Sequence, residues 1–299
     1  EKINQGERIY NLTVGDFNSR IFPIPERLTE LTIAAYNDHQ TNYPGAFGLD
    51  SLRQSIIALL KDYCDIEVDM NEVQVACGSR PLIYSLFKTI VDPGEKVIFP
   101  VPSWNNDYYT ELHNAVPVMV ETSAETNFFP TVENLQPVLK DAVLLSLCSP
   151  QNPTGTILDR QQLKDICELV VEENKRRSAD QKPLYVMFDQ VYWMLTFGSS
   201  NFHHPLSVCP EIRPYAVFID GISKSLAGTG VRVGWATGPE PIIQKMRAFI
   251  AHIGAWAPKP EQVATAQFLA EKDSLSKFLK NFRAQLQARL DGFYQGFMA

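Results

Sequence analysis

Tyr185-Val186-Met187-Phe188-Asp189 is apolar to its last residue and closes on a carboxylate. A short run with no polar alternation is what a strand covered on both faces shows, and it is too short for a core helix. A carboxylate at its end is costly to bury without a cation or hydrogen-bond donors. Outward from it, runs of the same kind recur at 73–77, 96–100, 116–120, 143–148 and 216–220, with a seventh at 232–238; the first run itself extends over 184–189. Amphipathic stretches separate them. Strand alternating with helix implies an α/β fold, a mostly parallel seven-stranded sheet sandwiched by helices.

The separating stretches read as helices. After Asp50, the residues Leu52, Ile56, Leu59, Leu60 and Tyr63 fall on one face. Asp159 with Gln162 has the spacing of a capping box, and Leu163, Ile166, Cys167 and Val170 follow at helical period. Lys175, Arg176 and Arg177 lie where cations favour a helix C-terminus. A long amphipathic helix is expected over 274–297. Asp92-Pro93-Gly94 is a turn. The stretch 198–214, with three prolines and the His203-His204 pair, reads as a long surface loop; with no further ligand at metal spacing, a solvated pair is expected and no metal.

With 299 residues, 45% hydrophobic and 11% aromatic, the chain can bury a large sheet and is not compositionally disordered. A formal net charge of -7 argues against a sequence-independent grip on nucleic acid or anionic membrane. No run approaches membrane-spanning length. Cys64, Cys77, Cys148, Cys167 and Cys209 form no C-x-x-C pair and read as reduced, buried thiols, which suits a cytoplasmic protein. The start, Glu1-Lys2-Ile3-Asn4-Gln5-Gly6-Glu7-Arg8, has no apolar signal core and no initiator Met.

In a parallel sheet, functional groups gather where loops leave the C-terminal strand ends. Four such places carry unusual polar residues. Ser149-Pro150-Gln151-Asn152-Pro153-Thr154-Gly155 presents Asn152 on a loop stiffened by two prolines. Asp189 is followed by Tyr192. Ile219-Asp220-Gly221-Ile222-Ser223-Lys224 ends a strand in a lysine, which apolar surroundings can turn into an amine nucleophile. Ala227-Gly228-Thr229-Gly230 and Arg232 follow. Gly78-Ser79-Arg80 opens a helix, whose N-terminal N–H groups suit phosphate. Taken singly, each has a plain explanation: a turn, a helix cap, a surface Ser-Lys pair, a structural ion pair. Their order along the chain carries the weight.

That order resembles the fold-type-I pyridoxal-phosphate-dependent aminotransferases, close to the aspartate aminotransferase class. The resemblance runs through Leu12-Thr13-Val14-Gly15-Asp16, Asn42-Tyr43-Pro44 with Gly48, Leu52-Arg53, Gly78-Ser79, Asp92-Pro93-Gly94, Pro102-Ser103-Trp104, Asn152-Pro153-Thr154-Gly155, Ser223-Lys224 and Arg232-Val233-Gly234. It implies that Lys224 holds pyridoxal 5'-phosphate as a Schiff base and shuttles the proton once freed. It implies that Asp189 pairs with the ring nitrogen, that Asn152 and Tyr192 bond the ring's phenolic oxygen, and that Trp104 stacks on the ring. Gly78, Ser79, Ser223 and Arg232 would hold the phosphate, with Tyr43 reaching the phosphate of a neighbouring subunit in a homodimer. Gly15, Trp104 and Asn152 would meet the substrate. Arg80 is placed in the cofactor set without a definite role.

By the same resemblance, residues 25–272 form the large cofactor-binding domain, and 1–24 with 273–299 are remnants of a smaller one. The chain is then shortened at both ends, and the arginine that pairs with the substrate α-carboxylate lies outside it. Gly221 stands where many relatives carry a second serine. Trp193 is expected to pack or to sit at the cleft mouth, and Lys259 either meets a substrate carboxylate or is simply exposed. Amino-group transfer between an α-amino acid and a 2-oxo acid leads, with a dicarboxylic amino acid as substrate. A lyase or decarboxylase on the same scaffold stays open, as does an aminotransferase-like sensor domain of a transcription regulator.

Overall fold

The computed structural model describes residues 3–7, 9 and 15–299. The Leu12-Thr13-Val14 part of the opening motif lies outside the described residues. Seven strands form one sheet: β1 Val73–Ala76, β2 Lys96–Val101, β3 Val116–Glu121, β4 Ala142–Cys148, β5 Tyr185–Asp189, β6 Ala216–Gly221 and β7 Gly234–Thr237. Their order is β1-β7-β6-β5-β4-β2-β3. All neighbours run parallel except β7, antiparallel to both β1 and β6. The expected sheet is therefore present.

The helices are α1 Glu26–Asn37, α2 Asp50–Cys64, α3 Ser79–Ile90, α4 Asn106–Leu112, α5 Val132–Leu135, α6 Arg160–Arg176, α7 Pro205–Val208, α8 Ile222–Ser225, α9 Glu240–Ile253, α10 Lys259–Ala270 and α11 Lys272–Met298. Strand residues alternate between two cores. Leu145, Leu147, Val186, Phe188 and Phe218 point to the face covered by α2, α6 and α10. Val97, Phe99, Leu144, Met187 and Ile219 point to the face covered by α3 and α9. Both faces are covered except at the edge strand β3, where Val116 and Met119 are exposed, and this burial explains the unalternating runs of the other strands. Each fully buried Leu or Phe contributes roughly 1.5–3 kcal/mol, so the two cores dominate stability.

Three local expectations need correction. Asp159 does cap α6, accepting from Gln161 and Gln162 N–H at 2.9 Å each. The box does not close, because the Gln162 amide turns to the Pro130 carbonyl at 3.3 Å. The seventh strand begins at Gly234, not at 232, because Arg232 takes φ 64° and sends its guanidinium back to two carbonyls. The 198–214 stretch is not a loop throughout: α7 and a 3-10 turn, Pro210–Tyr215, bury Leu206, Val208 and Ile212 against the core. His204 is likewise buried rather than solvated. Its Nδ1 accepts the Leu206 N–H at 3.2 Å, and burial pushes its imidazole down to about 3. The prolines and the histidine close a helix end, which composition alone disguised.

Candidate active site

The carboxyl ends of β4, β5 and β6 and the N-terminus of α3 surround a cavity of about 420 Å³. Strand register sets its floor. Cys148 pairs with Asp189, and Asp189 with Ile219, so the loops after three parallel strands open at one level. The loop after β4 is pinned. Ser149 N–H donates to Asp189 O at 3.0 Å, and the Gln151 amide donates to Pro102 O at 2.8 Å. Asn152 then donates to the Tyr192 hydroxyl at 3.3 Å.

Asp189 is buried and accepts one backbone N–H, from Val191 at 3.1 Å. Burial pushes its carboxyl up to about 6, and neither the Val191 bond nor the more distant Lys224 charge reverses this. Lys224 sits four residues past Asp220, in α8. Its Nζ donates to the Gly15 carbonyl and lies 6.0 Å from the centre of the Tyr192 ring. Burial holds its amine below the ordinary lysine range; Asp16 and Asp189 oppose that, and Arg80 and Arg232 add to it.

At the other end of the cavity Arg232 donates to Thr229 O at 2.7 Å and to Cys77 O at 2.9 Å. Gly78, at φ 95°, lies so close that a Cβ there would stand 2.2 Å from the guanidinium. Gly221 has a comparable constraint. A Cβ would fall 2.9 Å from both Gly234 Cα and Val233 O, so a serine there does not fit without moving backbone.

The structure thus brings together Gly15, Ser79, Arg80, Trp104, Asn152, Asp189, Tyr192, Ser223, Lys224 and Arg232 around one cavity, with Gly78 against Arg232 behind it. Arg80 is exposed and lays its guanidinium over the Trp104 ring at 5.0 Å. Tyr43 is not there. It is 82% exposed and packs edge-on against Trp256 at 5.2 Å, and Lys259 beside it donates to Asn42 at 2.5 Å. Trp193 is buried, its indole N–H on Asp220 at 2.8 Å. Several lining residues were not singled out from the sequence, among them Asp16, Asn106, Tyr109, Ser146 and Thr229. Ser146 donates to Asn106 at 2.6 Å, and Thr229 to Asp16 at 2.7 Å. A serine inside an otherwise apolar strand was the one readable signal among these. No group of residues suited to a metal occurs among the described residues, and no helix there is long and apolar enough to cross a membrane.

The model of the family described as aminotransferase class I and II matches residues 7–299. The aspartate aminotransferase of Bacillus sp. (strain YM-2) is 29% identical over 290 residues, 95% of this chain and 70% of that protein. The aspartate aminotransferase of Streptomyces avermitilis is 34% identical over 77% of this chain, which spans 55% of that protein. Among solved structures, aspartate aminotransferase from Thermus thermophilus with maleate superposes with a TM-score of 0.91 at 25% identity, over 99% of this chain and 74% of that one. An aromatic aminotransferase from Pyrococcus horikoshii gives 0.87 at 26%, over 95% and 73%. The fold is that of a pyridoxal-phosphate-dependent transferase of amino groups. The chain belongs to the class I and II aminotransferase family.

Proposed function

We propose that this protein moves an amino group between a dicarboxylic α-amino acid and a 2-oxo acid, with Lys224 as the residue that holds pyridoxal 5'-phosphate. The observation that carries this is the convergence of a depressed lysine amine, a buried carboxylate, a phenol with an amide, and an arginine beside a helix N-terminus on one cavity. The lyase, decarboxylase and regulator readings are not favoured beside these relatives. The donor set also fits the cofactor. Asp189 has one backbone donor and no cation within hydrogen-bond reach among the described residues, so a protonated ring nitrogen would complete its shell. Bound there, pyridoxal phosphate supplies an electron sink for charge developing at the substrate Cα.

The chain's own residues then have distinct work. Asp189 holds a proton on the ring nitrogen. Tyr192 and Asn152 would hold the phenolic oxygen, and Trp104 would pack against the ring. Ser79, Ser223 and the Gly78 region take the phosphate together with Arg232, whose charge outweighs the ~1 kcal/mol a helix terminus offers. Lys224 would hold the cofactor, and its amine would take and return the proton at the substrate Cα. Gly15, Trp104 and Asn152 face the substrate, and Arg80 is the spare cation on that side. Residues 25–272 act as the cofactor domain, with 1–24 and 273–299 belonging to a smaller one. Exposed Tyr43 suits a homodimer in which it reaches the other subunit's phosphate, and five free thiols suit the cytoplasm.

The test is to add pyridoxal phosphate to the wild type and to Lys224→Ala and record visible absorption. A borohydride-reducible band in the wild type alone, bleached by aspartate or glutamate, is the expected result. A band that persists in the variant, or none in either protein, would overturn the proposal.

A further inference from the structure

Behind the cavity lies a second buried carboxylate that the chemistry above does not use. Asp220 is 2% exposed, one residue beyond Ile219, the β6 partner of Asp189. Strand alternation therefore sends the two carboxylates to opposite faces of the sheet, Asp189 to the cavity and Asp220 to the rear. At the rear, Oδ1 accepts the Gly221 N–H at 2.7 Å and Oδ2 accepts the Trp193 indole N–H at 2.8 Å. Trp193 itself is wedged edge-on against Tyr63 at 6.0 Å and packs on Phe202 at 5.7 Å, so it has little room to follow a shifted partner.

The Trp193 bond joins different pieces of chain, and the Gly221 bond fixes the carboxyl against its own turn. Gly221 opens α8, which carries Lys224; Trp193 is the immediate neighbour of Tyr192. The Gln190 side chain, from the same turn as Tyr192, also reaches the Asp220 carboxyl, so Asp220 is the acceptor for two side chains of that turn. We propose that Asp220 is a positioning residue that clamps the lysine-bearing turn to the tyrosine-bearing turn, and so sets the spacing of amine and phenol across the cofactor ring. The inference rests on the reading that Lys224 and Tyr192 both meet the cofactor.

The surroundings agree with a structural, uncharged clamp. Burial, with Asp189 nearby, pushes Asp220 up to about 8, against the pull of its Gly221, Trp193 and Gln190 contacts. The Gln190 amide faces the same carboxyl, and its Oε1 is buried without a partner. The stronger push at Asp220 leaves Asp189, pushed up to about 6, as the carboxylate more ready to ionise against a ring cation.

The experiment uses the full chain as wild type, Trp193→Phe, Asp220→Asn, Tyr192→Phe and the Trp193→Phe/Tyr192→Phe double variant. For each, the pH midpoint of the lysine–cofactor absorption band, the Kd for pyridoxal phosphate and the Tm of the cofactor-free protein are measured. Trp193→Phe and Asp220→Asn should each move the midpoint and weaken cofactor binding about tenfold, the scale of a broken buried bond one shell from a site. In the Tyr192→Phe background, Trp193→Phe should leave the midpoint where Tyr192→Phe alone puts it, because the phenol it acts through is gone. A lowered Tm with midpoint and Kd within about twofold of wild type would reduce Asp220 to an ordinary core hydrogen bond and overturn the inference. If Asp220→Asn does not fold, Trp193→Phe alone decides. A wild type without the band would overturn the underlying reading, and the clamp with it; a band with an unmoved midpoint overturns only the clamp.

Discussion

The cavity at the strand ends and the Tyr43–Trp256–Lys259 patch both carry residues that the family pattern marks, yet they differ in completeness. In the cavity several polar groups are held by others: Asn152 on Tyr192, Ser146 on Asn106, Thr229 on Asp16, Arg232 on two carbonyls. In the patch, Tyr43 is 82% exposed and leans on a single ring. A sheet can bring distant strand ends to one level within a chain. It cannot place a residue from the loop before α2 into the same cavity when that loop faces outward. One region is assembled within the chain; the other stands apart from it, exposed.

The sharpest break between them is at Lys224. Lys224→Ala should abolish amino transfer and the borohydride-reducible band while leaving the fold intact, checked by absorption and circular dichroism. Asp189→Asn comes next, with kcat/KM down on the order of a hundredfold, because the ring nitrogen loses its charged partner. The same variant has a pH signature. The folded-state pKa of about 6 lies above the ordinary 3.8, so the folded protein binds the extra proton between those values. Wild-type stability without cofactor is therefore lost from this group as pH rises from about 4 through about 6, and none of it returns above. Asp189→Asn lacks that loss, and above pH ~6 should be the more stable by on the order of 3 kcal/mol. Denaturant midpoints across pH, measured on both cofactor-free proteins, check the sign.

Gly78→Ala tests the closeness of packing at the far end of the cavity. The methyl group meets the Arg232 guanidinium at a backbone φ of 95°, so cofactor Kd should rise about ten- to a hundredfold, read by fluorescence titration. The patch should respond less. Tyr43→Phe should raise cofactor Kd about fivefold or less, and only at concentrations where sedimentation shows a dimer. Equal effects on monomer and dimer would remove the distinction between the two regions. Lys259→Ala, which loses one half-exposed bond to Asn42, should shift Tm and kcat/KM least, within about twofold for the rate.

Each part of this was legible to a different depth. Unbroken apolar runs told of a sheet covered on both sides, since only burial removes alternation. The order Asn152, Asp189, Tyr192, Lys224, Arg232 located the cavity, because residues just past parallel strands must emerge at one edge. Local geometry escaped where a side chain chose among competing partners. Gln162 could close its own cap or reach Pro130, and the 198–214 stretch hid a packed helix under loop-like composition. The sequence by itself determined the sheet, its order of chemistry and the identity of the groups at its edge, because these follow from periodicity and position along the chain. Only the tertiary structure decided that Gly221 has no space for a serine, that Asp189 and Asp220 face opposite sides, and that Trp193 ties two turns together. Those outcomes depend on distances between strands remote in sequence, which no local pattern encodes.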